Sequence, residues 1–186
     1  MQKMNELFGK RVINQLTGNQ VAIVREVVLD SAARQILALI LTSEHSREEQ
    51  VVRMENVLGM GEFVVIDGAR PLQSSAGDSE IVALRKSAQQ ITGKKLMSVT
   101  GDHVGTVGDM HVGRNGIIVG FELKHGMFSS TDPQAFRAVD VQTVGADAVI
   151  VNTPHPIALS LLAAEVDSVE VRHVDSFAND RAERVA

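Results

Sequence analysis

The stretch Gly93–Val112, GKKLMSVTGDHVGTVGDMHV, decides the fold, because the chain carries a second version of it at Gly9–Leu29, GKRVINQLTGNQVAIVREVVL. Gly9-Lys10-Arg11-Val12 is answered by Gly93-Lys94-Lys95-Leu96. Thr17-Gly18-Asn19-Gln20-Val21 is answered by Thr100-Gly101-Asp102-His103-Val104 after a one-residue change in length. Val24, Glu26, Val27 and Leu29 then align with Val107, Asp109, Met110 and Val112, and ILALIL from Ile36 aligns with IVGFEL from Ile118. Near the end of each copy, Glu55-Asn56-Val57 stands opposite Val139-Asp140-Val141, and FVVID from Phe63 stands opposite AVIVN from Ala148. Self-similarity kept in this order along one chain is the mark of a duplicated structural unit.

Each copy reads as short strands joined by tight turns. Gly18-Asn19 and Gly101-Asp102 sit between apolar stretches, where a hairpin needs a positive φ that glycine adopts without steric cost. Asn115-Gly116 predicts a further turn of type I′ character, and the longer Asp30 to Gln35 takes its place in the first copy. Along Val24, Val27 and Leu29 the apolar phase slips by one residue. The slip recurs at Val107, Met110 and Val112, which predicts a β-bulge near Glu26 and Asp109 that bends each strand toward barrel closure. ILALIL and FVVID are short and rich in Val, Ile and Leu, as buried strands are.

Gly68 to Asp78 (GARPLQSSAGD) has the Gly, Pro, Ser and Asp of a linker. After it, Glu80 to Leu84 reads as a short strand and Lys86 to Ile91 as a turn of helix. Beyond Asn152 no barrel counterpart is evident; Pro156 predicts a helix through Ile157, Leu161 and Ala164, and Ser168 to Val174 alternates as a strand does. The expected organisation is a first barrel over 1–68, a linker with a short strand or helix over 69–90, and a second barrel with a helix and strand extension over 91–186.

The order of these elements resembles the PRC-barrel family. The features are G-K followed by apolar residues, a Gly-Asn or Gly-Asp turn, a strand with an acidic residue at its bulge, an apolar strand, then D-V and a closing VVI-type strand. The likeness is clearest in Gly93–Val112 and covers about Phe8 to Asp67 and Gly93 to Asn152. The resemblance implies an all-β chain of two small six-stranded barrels in tandem. It also implies protein contact in place of chemistry, since the family has no shared catalytic residues to carry over; its members include the cytoplasmic part of a photosynthetic reaction-centre subunit and the C-terminal domain of a ribosome-maturation factor.

Composition narrows the function classes. The 186 residues are 44% hydrophobic and 22% charged, enough for a folded core, yet only 3% aromatic with no Trp or Tyr. Stacking platforms for bases or sugars are therefore scarce. A net charge of -5, spread over both halves, lacks the clustered Lys and Arg that nucleic acid requires. With no Cys there are no disulfides, thiolate metal sites or thiol nucleophiles. No apolar run approaches the roughly 20 residues that span a bilayer, and the N-terminus does not read as a signal peptide, so a cytoplasmic protein is expected.

No catalytic, cofactor-binding or metal-binding residues are predicted. The six histidines, His45, His103, His111, His125, His155 and His173, show no i, i+4 pair and no H-E-x-x-H motif; only His111, His125 and Glu122 share one predicted hairpin region. Gly18, Glu26, Gly101 and Asp109 recur at repeat positions. Glu26 and Asp109 could be paired functional carboxylates. The stronger reading is structural, with each acidic group accepting N–H groups that the bulge leaves unpaired. Ser129-Ser130-Thr131-Asp132-Pro133 reads as a turn. The expected function is a non-enzymatic adaptor for a protein partner or for itself. Two rivals are a small-molecule or metal sensor in the groove between the barrels and an accessory factor in ribosome maturation acting through a ribosomal protein.

Overall fold

The computed structural model describes residues 1–43, 46–87, 91–124 and 132–166. Strand β1 (Gln2–Lys3) and a 3-10 turn (Met4–Leu7) lead into the first sheet. That sheet comprises β2 (Arg11–Asn14), β3 (Gln20–Leu29), β4 (Ile36–Ser43), β5 (Ser46–Arg53), β6 (Val57–Met60), β7 (Val64–Ile66) and β8 (Gln73–Ser74), followed by helix α1 (Ser79–Ser87). The second comprises β9 (Lys95–Ser98), β10 (His103–Val112), β11 (Ile118–Leu123), β12 (Gln134–Arg137), β13 (Val141–Val144), β14 (Ala148–Val151) and β15 (Ile157–Ala158). A helix follows over 159–166.

The strand orders are the same. The first sheet runs β6-β7-β2-β3-β4-β5-β8 and the second β13-β14-β9-β10-β11-β12-β15, with β1 added on β10. In each, the only parallel pair among the described residues joins the first strand of the copy to its closing strand: Val12 faces Val64, and Leu96 faces Val149. A 3-10 corner, Met54–Asn56 or Ala138–Asp140, turns the chain from one end of the sheet to the other, so each sheet curls on itself. The protein is thus mostly β, built from two curled, half-barrel sheets.

Local devices recur with the topology. The register shifts between Val24 and Glu26 in β3 and between Val107 and Asp109 in β10, which places the bulges where the apolar phase slips. Gly18 (φ 69) and Gly101 (φ 91) occupy the hairpin turns. The Lys of each G-K pair ties down the last turn of its own sheet, Lys10 Nζ donating to the carbonyl of Gly61 and Lys94 Nζ to that of Gly145.

Packing is aliphatic, and one apolar cluster runs through both sheets, from Leu7, Val12 and Leu39 to Leu96, Val107 and Phe121. The cross-strand pair Phe121 and Phe136 fills the second barrel where Leu39 and Val52 face each other in the first. At roughly 60 residues a module buries a marginal core alone, and a shared core offsets that weakness.

The hairpin tips meet in a near-symmetric exchange. Ile36 N–H donates to the Gly116 carbonyl over 2.8 Å, and Ile118 N–H donates to the Arg34 carbonyl over 2.9 Å. A bridge between Gln35 and Ile117 lies between these bonds.

Four expectations need correction. Glu80 to Leu84 is not a strand but part of α1, because Asp78 caps it: Oδ1 accepts Ile81 N–H at 3.2 Å and the Asp78 carbonyl accepts Val82 N–H at 2.9 Å. Ile157 pairs with Ala135 in β15, and the helix begins only at 159. The tail does have a barrel counterpart, since β15 and this helix repeat β8 and α1. Finally, the 113–117 turn is not type I′. Gly116 (φ 81) is left-handed and Asn115 is not, and Gly116 N–H bonds the Gly113 carbonyl at 3.1 Å. The same geometry appears in the first copy with Ala33 (φ 51) in the glycine's role, so that turn differs in length and hardly in shape. The predicted strand at Ser168–Val174 and the Ser129–Thr131 cluster lie outside the described residues.

Candidate functional site

Two places on the second barrel stand out, and the first departs from the symmetry of the repeat. The first is a polar group on the outer face of β10 and β11. The bulge at Gly108 turns Asp109 to stand opposite Glu122, and two residues on His111 faces the same way. His111 Nε2 lies 2.7 Å from Glu122 Oε2. Lys3, carried over from the start of the chain by the pairing of β1 with β10, reaches both Glu122 oxygens, at 3.0 and 2.9 Å.

His111 is 3% exposed and Glu122 7% exposed. Burial pushes the Glu122 carboxyl up, but hydrogen bonds from His111 and Lys3 outweigh it and hold the group below its ordinary value. Glu122 is then an anion that can only accept, so Nε2 carries the imidazole proton. Nδ1 is left buried without a hydrogen-bond partner among the described residues.

Asp109 Oδ1 accepts the N–H of the adjacent Met110 over 2.8 Å. Glu26 is used differently: it faces the apolar Ile40 and pairs outward with Arg85 of α1 at 2.6 Å, and Arg85 also reaches Glu49 at 2.8 Å. The hydrogen bonds that Arg85 donates to Glu26 and Glu49 raise its guanidinium above its ordinary value, and the bond it donates to Glu49 lowers that carboxyl. In the first barrel the positions of His111 and Glu122 belong to Val28 and Ile40, which pack with Ala38, Val51 and Ile81 in an apolar cluster. The polar face is therefore particular to the second copy.

The second place is a cleft of about 340 Å³ lined by Ile117, Ile118, Val119, Val139 and Leu162, with Arg137 and Glu165 at its margin. It lies between the 113–117 turn, the 138–140 corner and the helix over 159–166. Leu162 is buried against Gly120, whereas Ile117 is 47% exposed and Val139 77% exposed. Arg137 closes one side through a bidentate pair with Glu165, at 2.8 and 2.6 Å, which lowers the Glu165 carboxyl.

Of the residues singled out in the sequence, Gly18 and Gly101 are at turns and Glu26 and Asp109 beside bulges. His111 and Glu122 are together, while His125, the third member of that group, lies outside the described residues, as do His45 and His173. His103 and His155 are exposed and apart from them. Sequence reasoning missed Lys3, which is 119 positions from Glu122 and has no local pattern to announce it. It also missed the cleft, whose walls come from three separated segments. Among the described residues, no group of three or more His, Asp or Glu side chains is placed to hold a metal ion. No helix among them is long and apolar enough to cross a membrane.

No curated protein matches the chain. Residues 85–156, which hold β9 to β14 with the bulge, the G-K pair and the closing parallel strand described above, match the family model of the PRC-barrel domain. The second of the two sheets thus matches the PRC-barrel family.

Proposed function

We propose that this chain is a non-catalytic binding module that holds a protein partner, with the cleft of the second barrel as its docking face. The observation that carries this reading is the cleft's chemistry: aliphatic side chains line it, and Val139 stands 77% exposed at its edge. Apolar surface left in water beside a formed cleft is what a partner's side chains would bury. The His111–Glu122 pair supports the same reading, since both side chains are buried and, with the half-exposed Lys3, its effect is to fasten β1 onto β10. Action in the cytoplasm, and self-association as one form of partnership, belong to this proposal.

Affinity capture from the native host tests it, with light scattering to report self-association. The reading expects a specific protein, or a second copy, to be recovered by the wild-type chain and lost with Val139→Asp. A chain that stays monomeric and captures nothing specific contradicts it. A second reading, a small-molecule sensor, draws on the cleft's size, which falls within the range of ligand pockets, roughly 300 to 1,000 Å³. A metabolite panel that raises the melting temperature of the wild type and not of Val139→Asp would favour that reading.

A further inference from the structure

We infer that Arg34 of the first barrel is a positioning residue for the cleft of the second, so that barrel pairing and cleft occupancy are coupled. This rests on the cleft being the docking face. The half-buried Arg34 side chain crosses to the 138–140 corner, where Nη1 donates to the carbonyl of Ala138 and Nη2 to that of Val141. Those carbonyls bracket Val139 and Asp140, and Val139 is the most exposed of the cleft's large apolar side chains. The corner is also closed by Val141 N–H donating to the Ala138 carbonyl, by Asn152 N–H donating to the Asp140 carbonyl, and by an Arg137–Asp140 ion pair at 3.7 Å.

The opposite wall is held by the same hairpin. Ile118 N–H donates to the Arg34 carbonyl and Gly116 accepts from Ile36, so the 113–117 turn is pinned from the first barrel as well. Two of the cleft's three walls are therefore fixed by residues 34–36, which belong to the other copy.

The repeat contains its own control. In the exchange the Gly116 carbonyl takes the part of the Arg34 carbonyl, although within its own turn Gly116 matches Ala33, and Gly116 has no side chain to reach the Met54–Asn56 corner. There Met54 packs directly on Gly116: a Cβ at that position would lie 2.7 Å from Met54 Cε. The first barrel's corner is set by packing, and the second barrel's by a cation. A ligand that binds one arrangement of the 138–141 backbone must then shift the barrel contact by the same factor, since coupling is reciprocal.

The test uses the full chain with Arg34→Ala and Arg34→Lys, and reads amide hydrogen exchange residue by residue. In Arg34→Ala, exchange at Val141 should accelerate by about tenfold or more, while Val57, the equivalent amide of the first corner, and Val149 in the core keep their wild-type rates. Arg34→Lys, able to donate to one carbonyl, should fall between, and decides the matter if the alanine variant does not fold. Unchanged exchange at Val141, or equal acceleration at Val57 and Val149, would overturn the inference. Partner capture separates it from the reading beneath it. Loss of the partner with both Val139→Asp and Arg34→Ala supports the coupling. Loss with Val139→Asp alone refutes the coupling and leaves the binding module intact. If the wild type captures nothing, that reading fails while the exchange data still decide whether Arg34 sets the corner.

Discussion

His111 and Glu122 form a buried hydrogen-bonded pair, 2.7 Å from Nε2 to Oε2, at the positions that Val28 and Ile40 hold in the first barrel. The same sheet thus accepts either an apolar pair or a polar one on this face, and the polar version is stable only while both members are present. Removing one partner leaves the other buried and unmatched, which costs about 1–3 kcal/mol. Replacing both with the apolar residues of the first copy removes the unmatched groups altogether.

His111→Ala and Glu122→Gln are each expected to destabilise the chain by about 2 kcal/mol in urea unfolding, with a coupling of roughly 1–2 kcal/mol in the double-mutant cycle. The exchange of both residues, His111→Val with Glu122→Ile, is expected to remain within about 1 kcal/mol of wild type. Additive single effects would show that the pair does not act as a unit.

Acid should act through the same carboxylate. Hydrogen bonds from His111 and Lys3, against the opposing effect of burial, hold Glu122 below the value of 4.5 that it has in the unfolded chain. Its contribution to stability is therefore present above pH 4.5 and is lost as the pH falls through the lower folded value, because the unfolded state takes up the proton first. The stability difference between wild type and Glu122→Gln should narrow on acidification from about pH 6 to about pH 3. Urea midpoints across that range check it, and a difference that stays constant or widens would contradict it.

Gly120 stands under the helix over 159–166, as Ala38 stands under α1. A Cβ at Gly120 would lie 2.4 Å from Leu162 Cδ2 and 2.9 Å from the Phe136 carbonyl, so the Leu162 side chain and the β12 backbone must both give way to admit it. Gly120→Ala is expected to cost about 1–3 kcal/mol and to expose Leu162, which limited proteolysis near the helix would detect. Ala38→Gly in the first barrel should leave the equivalent helix in place.

What could be read from the sequence was whatever repeats locally. Gly18 and Gly101 announce turns because only their backbone is at ease there, and Glu26 and Asp109 mark bulges because the apolar phase slips beside them. Helix α1 was missed because Ile81 and Leu84 give too short an apolar pattern to outweigh the strand-like run around Val82, and its Asp78 cap acts through geometry. The His111–Glu122 pairing was half visible, since both residues belong to one hairpin. Lys3 and Arg34 were hidden because each acts on the opposite barrel, more than 100 positions away. The cleft was hidden for the same reason: no stretch of sequence contains two of its walls.

The most direct measurement is quantitative affinity capture with the wild-type chain and with Val139→Asp, both shown to be folded by their unfolding curves. The account predicts at least one protein, or a second copy of the chain, enriched by the wild type and reduced about tenfold or more by the substitution, since a charge placed in an apolar contact loses its solvation without gaining a partner. Equal recovery by the two proteins would contradict it.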